Sequence, residues 1–72
     1  MKYLGSGFVE LQATLRQKRI ERGISMSELA RMINTSKSTL SAWENGLAEP
    51  RSRGLVKWAS ALGVELRVEI AA

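Results

Sequence analysis

The stretch Ser25-Met26-Ser27-Glu28-Leu29-Ala30-Arg31-Met32-Ile33-Asn34-Thr35-Ser36-Lys37-Ser38-Thr39-Leu40-Ser41-Ala42-Trp43-Glu44-Asn45-Gly46 carries two helix starts and two helix stops in quick succession. Ser25-Met26-Ser27-Glu28 has the form of a capping box. The Ser25 hydroxyl can accept from the amide three residues on, and Glu28 can reach back to the Ser25 amide. Leu29, Ala30 and Ile33 supply the inner face of the helix so begun. It stops near Ile33, because Asn34 tolerates positive φ better than most residues. Ser36 is a good cap for the next helix, Lys37 to about Asn45, which Gly46 closes. Leu40 and Trp43, three apart, face inward. The reading is two short helices joined by a tight turn.

Outward from this pair, the pattern continues in both directions. Phe8, Leu11 and Leu15 recur at helical spacing, with Ala13 and Ile20 placed near the same side. This predicts a first helix over Phe8 to Arg22, stopped by Gly23. Gly5-Ser6-Gly7 reads as a flexible lead-in, leaving Met1 to Leu4 as a loose arm. After a loop from Leu47 to Pro50, a fourth helix begins at Arg51 or Ser52 and runs to Leu62. Leu55, Val56, Trp58, Ala59 and Leu62 form its apolar stripe, and Gly54 is a weak point near its start. Beyond Gly63 the period changes. Val64, Leu66, Val68 and Ile70 alternate with Glu65, Arg67 and Glu69, the pattern of a half-buried strand. A lone strand leaves its backbone groups unpaired, so the expectation is pairing with another molecule.

Composition narrows the function classes. The chain has 72 residues, no Cys and no His, and a net charge of +4. At this size one domain is expected, with a marginal core that oligomerisation would support. Without Cys or His there is no disulfide, no thiolate site and none of the commonest metal ligand or general base, so neither a metal nor a cofactor is expected. No carboxylate pair, nucleophile–base set or phosphate-cradling Gly loop points to catalysis. No apolar run approaches membrane-spanning length and no secretory signal stands at the N-terminus, so a cytoplasmic protein with no membrane partner is expected. Between Arg16 and Lys57 stand nine Lys or Arg residues against four acids, at positions 21, 28, 44 and 49. A basic centre of this kind suits a polyanion.

Leu15-Arg16-x-x-Arg19, Arg22-Gly23-Ile24-Ser25, Glu28-Leu29-Ala30, Ser36-x-Ser38-Thr39-Leu40-Ser41-x-Trp43-Glu44-Asn45-Gly46, Pro50 and Ala61-Leu62-Gly63-Val64 follow one another in order and at set spacings. Together they resemble the Cro/C1-type (XRE, lambda-repressor-like) helix-turn-helix family over roughly Phe8 to Val64. The resemblance implies an all-α fold: a four-helix lambda-repressor-like DNA-binding domain over 8–63, preceded by an arm over 1–7. A C-terminal segment, 64–72, would hold the strand that pairs across a homodimer.

It further implies double-stranded DNA as partner and a dimeric repressor on a pseudo-palindromic operator. In that geometry the Lys37–Asn45 helix enters the major groove while the helix before it bridges the backbone. Carried over by position, Lys37, Ser38, Ser41 and Ala42 are the base contacts, with Lys37 suited to guanine and Ala42 to a thymine methyl. Ser36, Thr39, Asn45, Arg51 and Arg53 are the phosphate contacts. Arg19 and Glu44 resemble the family's structural ion pair. Two features depart from the pattern. Met26 stands where many relatives carry Gln, which removes a phosphate donor. A strand also replaces the usual fifth helix, an ending similar to HipB-type antitoxins, which implies a kinase-like HipA-type toxin as a further partner. The remaining alternatives are a toxin-neutralising protein-binding module and a phage-type repressor with no toxin.

Overall fold

The computed structural model describes residues 5–66, with side chains from Glu10 onward. Four helices follow in order: α1 Gly5–Glu21, α2 Met26–Met32, α3 Lys37–Glu44 and α4 Ser52–Ala61. The described residues contain no strand, so the observed architecture is all-α.

Both serines cap their helices, but the return half of the expected Ser25–Glu28 box, from the Glu28 carboxylate to the Ser25 amide, is not formed. Ser25 Oγ accepts from the Glu28 amide at 3.0 Å, and Ser36 Oγ accepts from the Thr39 amide at 3.0 Å. Each bond satisfies one of the first amides of a helix, which have no partner within it. Between α2 and α3 the chain turns at Asn34, whose φ is 57°, the one left-handed non-glycine residue described. The Thr35 amide then donates to the Ala30 carbonyl at 2.9 Å, locking the turn onto the end of α2. The whole connection is a few residues long, so the two helices cannot separate.

α1 begins three residues earlier than its periodicity predicts. Gly5-Ser6-Gly7, expected as a flexible lead-in, forms its first turn. Glycine costs about 1 kcal/mol against alanine in a helix, but extending a formed helix is far easier than nucleating one. The expected contribution of Phe8 to the core lies outside the described side chains.

One core joins all four helices. Leu15 of α1, Leu29 and Ala30 of α2, Leu40 of α3, and Leu55, Trp58 and Ala59 of α4 are buried together with Ile33 and Leu62. Three expected positions are corrected. Ala13 is exposed, Ile20 is 51% exposed and Val56 is 53% exposed. Helical geometry supplies the reason. The buried row of α1 runs through Leu11, Leu15 and Arg19, four apart. At roughly 100° per residue, Ala13 and Ile20 both fall on the far side from Leu15. Val56 likewise lies off the row made by Leu55, Trp58, Ala59 and Leu62.

Gly54 has a packing reason for being small. A Cβ there would sit 3.1 Å from Trp43 Cη2, so the missing side chain lets the indole of α3 lie against the start of α4. Trp43 also meets Trp58, with ring centroids 5.6 Å apart and planes tilted by 37°. The indole is therefore a half-buried bracket between α3 and α4.

After α4 the chain runs on through Val64, Glu65 and Leu66 without regular structure. Val64 and Leu66 are half-buried against the core, whereas Glu65 is exposed. The inward–outward alternation is thus present, but its apolar side rests on the chain's own domain. Val68 and Ile70, the rest of the expected dimer strand, lie outside the described residues.

Candidate nucleic-acid interface

α3 has two clearly different sides. Leu40 and Glu44 are buried, and Trp43 is half-buried beside them. Lys37, Ser38, Thr39 and Asn45 are exposed, while Ser41 and Ala42 are half-buried. On a helix, residues four apart share a row. Lys37, Ser41 and the capping residue Asn45 make one outward row; Ser38 and Ala42 make the next. The structure thus brings the four expected base readers onto two adjoining rows of one short helix. Apart from Lys37 the side chains there are small, so the backbone of α3 can approach a partner closely.

Hydroxyl groups crowd the start of α3. Ser36 Oγ donates to Thr39 Oγ1 at 2.8 Å, accepts from the Thr39 amide, and lies 3.3 Å from Ser38 Oγ. Ser36 is therefore occupied by its own helix, and Thr39 keeps its hydroxyl proton for an outside acceptor such as a phosphate oxygen. Asn45 differs from the expectation for a phosphate donor. Its Nδ2 donates to the Ser41 carbonyl at 2.8 Å and to Ser41 Oγ at 3.2 Å. The amide holds the last turn of α3, and a phosphate contact would have to displace those bonds.

The cations divide in the same way. Among the described residues the two ion pairs are Lys18–Glu21 and Arg19–Glu44. Lys37, Arg51 and Arg53 take part in neither and are exposed. Arg51 occupies the cap position of α4 without a side-chain cap bond. Arg53 follows one residue inside that helix.

Glu44 anchors α3 from behind. Its carboxylate takes two parallel bonds from Arg19, Nε to Oε2 at 2.8 Å and Nη2 to Oε1 at 3.1 Å. Arg19 Nη1 also donates to the Ile24 carbonyl at 2.9 Å, so one guanidinium joins α1, the α1–α2 turn and α3. The Glu44 side chain is only 2% exposed and that of Arg19 14%, so this pair is largely withdrawn from water. Fork-to-fork geometry fixes direction as well as distance. Its consequence is an α3 held at one angle to α1.

Gln12 is a contact that sequence reasoning missed. Its Nε2 donates to the Glu44 carbonyl at 2.9 Å. The available signal was its place on α1, seven residues before Arg19 and on the same face. Met26 packs against the core as a half-buried side chain, in keeping with its lack of a polar head. Among the described residues no group of three His, Cys, Asp or Glu could hold a metal, and no helix is long and apolar enough to cross a membrane.

The comparisons agree with this geometry. A helix-turn-helix family model matches residues 15–68. Multiprotein-bridging factor 1c of Arabidopsis thaliana is 34% identical over 61 residues, covering 85% of this chain and 41% of that protein. A protein of Aeropyrum pernix named for HTH-type transcriptional regulation is 36% identical over 52 residues, 72% of this chain and 16% of its own length. The chain thus spans less than half of either relative. No solved structure matches it. With α2, the Asn34 turn and α3 all inside the matched region, the chain belongs to the helix-turn-helix family.

Proposed function

We propose that this chain is a non-catalytic, sequence-specific DNA-binding transcriptional repressor that places α3 in the major groove of duplex DNA. The observation that carries this reading is the two-sidedness of α3: Leu40 and Glu44 fasten it from behind while Lys37, Ser38, Ser41 and Ala42 line its outer rows. A B-form major groove admits one helix, and the first turn of that helix meets the base edges. Lys37 then donates to guanine O6 or N7, Ser38 and Ser41 bond to base edges, and Ala42 meets a thymine methyl. Thr39, Arg51 and Arg53, with the amides that begin α3, take phosphates. The Aeropyrum pernix relative's name supports a regulatory role.

Two copies on a pseudo-palindrome would set their α3 helices about 34 Å apart, or a multiple of it. The proposed dimer contact is the segment Val64, Leu66, Val68 and Ile70, pairing as strands across the two-fold axis. An antitoxin role, with a kinase-like HipA-type toxin as second partner, is the extension of this reading in a cytoplasmic setting; co-purification from the native host tests it. A second reading, a protein-binding module, draws support from the name of the Arabidopsis thaliana relative and from Leu47, 81% exposed beside α3.

The test is binding to duplexes enriched from a random-sequence library, measured across a salt series. Affinity should fall steeply, by about 10³-fold or more between 50 and 200 mM salt if six or more phosphates are neutralised. Replacing Lys37 and Ser38 together by Ala should flatten the preference at the positions they read. A flat salt response, or an unchanged preference in that variant, refutes the reading.

A further inference from the structure

Helix α3 ends at Glu44, and the main-chain carbonyl of that residue is one of the last four of the helix, which have no acceptor role within it. The chain returns through Asn45, Gly46, Leu47 and Ala48. The amides of Leu47 and Ala48 both turn back to the Ala42 carbonyl, at 2.9 and 3.3 Å, and leave Glu44 aside. Gln12 reaches it instead, from a position thirty-two residues earlier in the chain. One residue of α3 is thus gripped twice by one face of α1. Arg19 holds the carboxylate and Gln12 holds the backbone.

The two grips constrain different motions. The Glu44 carboxylate is joined to its backbone through three rotatable bonds, so an ion pair on it constrains the roll of the helix less directly than a bond to the main chain. A bond to the carbonyl acts on the helix itself. With two turns of α1 separating Gln12 from Arg19, the pair of contacts fixes both the roll of α3 and its tilt. Neighbouring residues make room for the arrangement. Gly46 has φ +73°, and a Cβ there would lie 3.1 Å from Gln12 Nε2 and 3.4 Å from Oε1. Gln12 Oε1 is buried with no protein hydrogen-bond partner among the described residues, so the Nε2 bond to Glu44 is the one hydrogen bond this side chain makes there.

We propose that Gln12 is a positioning residue for DNA reading: its bond to the Glu44 carbonyl sets the roll of α3 and hence which base edges Lys37, Ser38, Ser41 and Ala42 can meet. This rests on the reading of α3 as the recognition helix. A change of roll moves the outward rows across the groove floor, while phosphate contacts from exposed cations tolerate it. Loss of Gln12 therefore weakens specific binding more than general binding to duplex.

The experiment compares wild-type protein with Gln12→Met, which keeps length and removes the donor, and with Gln12→Glu, which keeps shape and replaces the donor by an acceptor. The probes are the duplex most enriched by the wild type from a random-sequence library and a scrambled duplex of equal length. Both are titrated at a temperature where circular dichroism shows every variant folded. For both variants, affinity for the enriched duplex is expected to fall about tenfold, the loss of roughly one hydrogen bond's discrimination, with affinity for the scrambled duplex held within about twofold. A lowered melting temperature with an unchanged affinity ratio means a merely structural role and overturns the proposal. Should a variant not fold, the wild type decides. The Gln12 side-chain amide protons must exchange more slowly than those of the exposed Gln17; equal rates overturn the bond itself. If the wild type enriches no sequence, the reading of α3 fails first and takes this role with it. An enriched sequence that Gln12→Met reads equally well overturns Gln12 alone.

Discussion

Glu44 is the buried charged residue of the described core, and its neighbourhood decides how it responds to substitution. Arg19→Ala would leave a carboxylate 2% exposed with no cation beside it, at a cost of about 3–5 kcal/mol. Glu44→Ala is expected to cost less. Arg19 keeps its bond to the Ile24 carbonyl and, at 14% exposure, some access to water. Urea unfolding of the two variants should therefore rank Arg19→Ala as the more damaging; equal or reversed losses would show that the pair is not desolvated as described. At Gly54 two effects oppose each other. Alanine should gain about 1 kcal/mol of helix propensity, yet its Cβ would press on Trp43 Cη2 at 3.1 Å. Because the indole also packs on Trp58, shifting it disturbs a second contact, so Gly54→Ala is expected to destabilise, with a change in tryptophan emission. A rise in melting temperature would mean that Trp43 has room to move.

Among the elements, the helix ends were the most legible part of the sequence. Ser25, Ser36, Asn34 and Gly46 each announced an end by hydroxyl, amide or left-handed tolerance, and α2 and α3 fall within a residue of where those signals put them. The start of α1 was not legible, because Gly5 and Gly7 argue locally for a coil and only cooperativity with the residues after them makes a helix. Faces were legible where the period was strict and misleading where one more apolar residue extended it. Val56 is the clear instance. Leu55→Ala should cost about 2–5 kcal/mol, since that side chain is 2% exposed, whereas Val56→Ala should stay within about 0.5 kcal/mol. Comparable losses at the two sites would place α4 in a different roll. Removal of the α3 cap by Ser36→Ala is expected to cost about 1 kcal/mol. It should also remove the bond that orients the Thr39 hydroxyl, so helix content and duplex affinity should fall together. An unchanged melting temperature would show that the cap bond contributes nothing.

For the molecule as a whole, the fold was legible because the spaced residues from Leu15 to Val64 are mutually consistent: caps, core rows and turn residues agree on one arrangement. The contact of Gln12 with the Glu44 carbonyl was not, since a main-chain acceptor leaves no mark on the sequence. Nor was the commitment of the Asn45 amide to Ser41, which only the geometry of the last turn reveals. The strand expected from the alternation after Gly63 is not found among the described residues, although Val64 and Leu66 are half-buried and Glu65 is exposed. Those two apolar residues pack against the domain's own core, a contact that periodicity alone does not assign. If the protein reads DNA, the outward rows of α3 are the surface that meets it. The most direct test of this placement is amide chemical-shift mapping of the isotope-labelled protein against a library-enriched duplex. The largest changes should fall on Ser36 to Ala42 and on Arg51 to Arg53, with little change at the α1 residues Glu10 to Gln17. Changes centred on α1 or the exposed side of α4, with α3 unmoved, would contradict it.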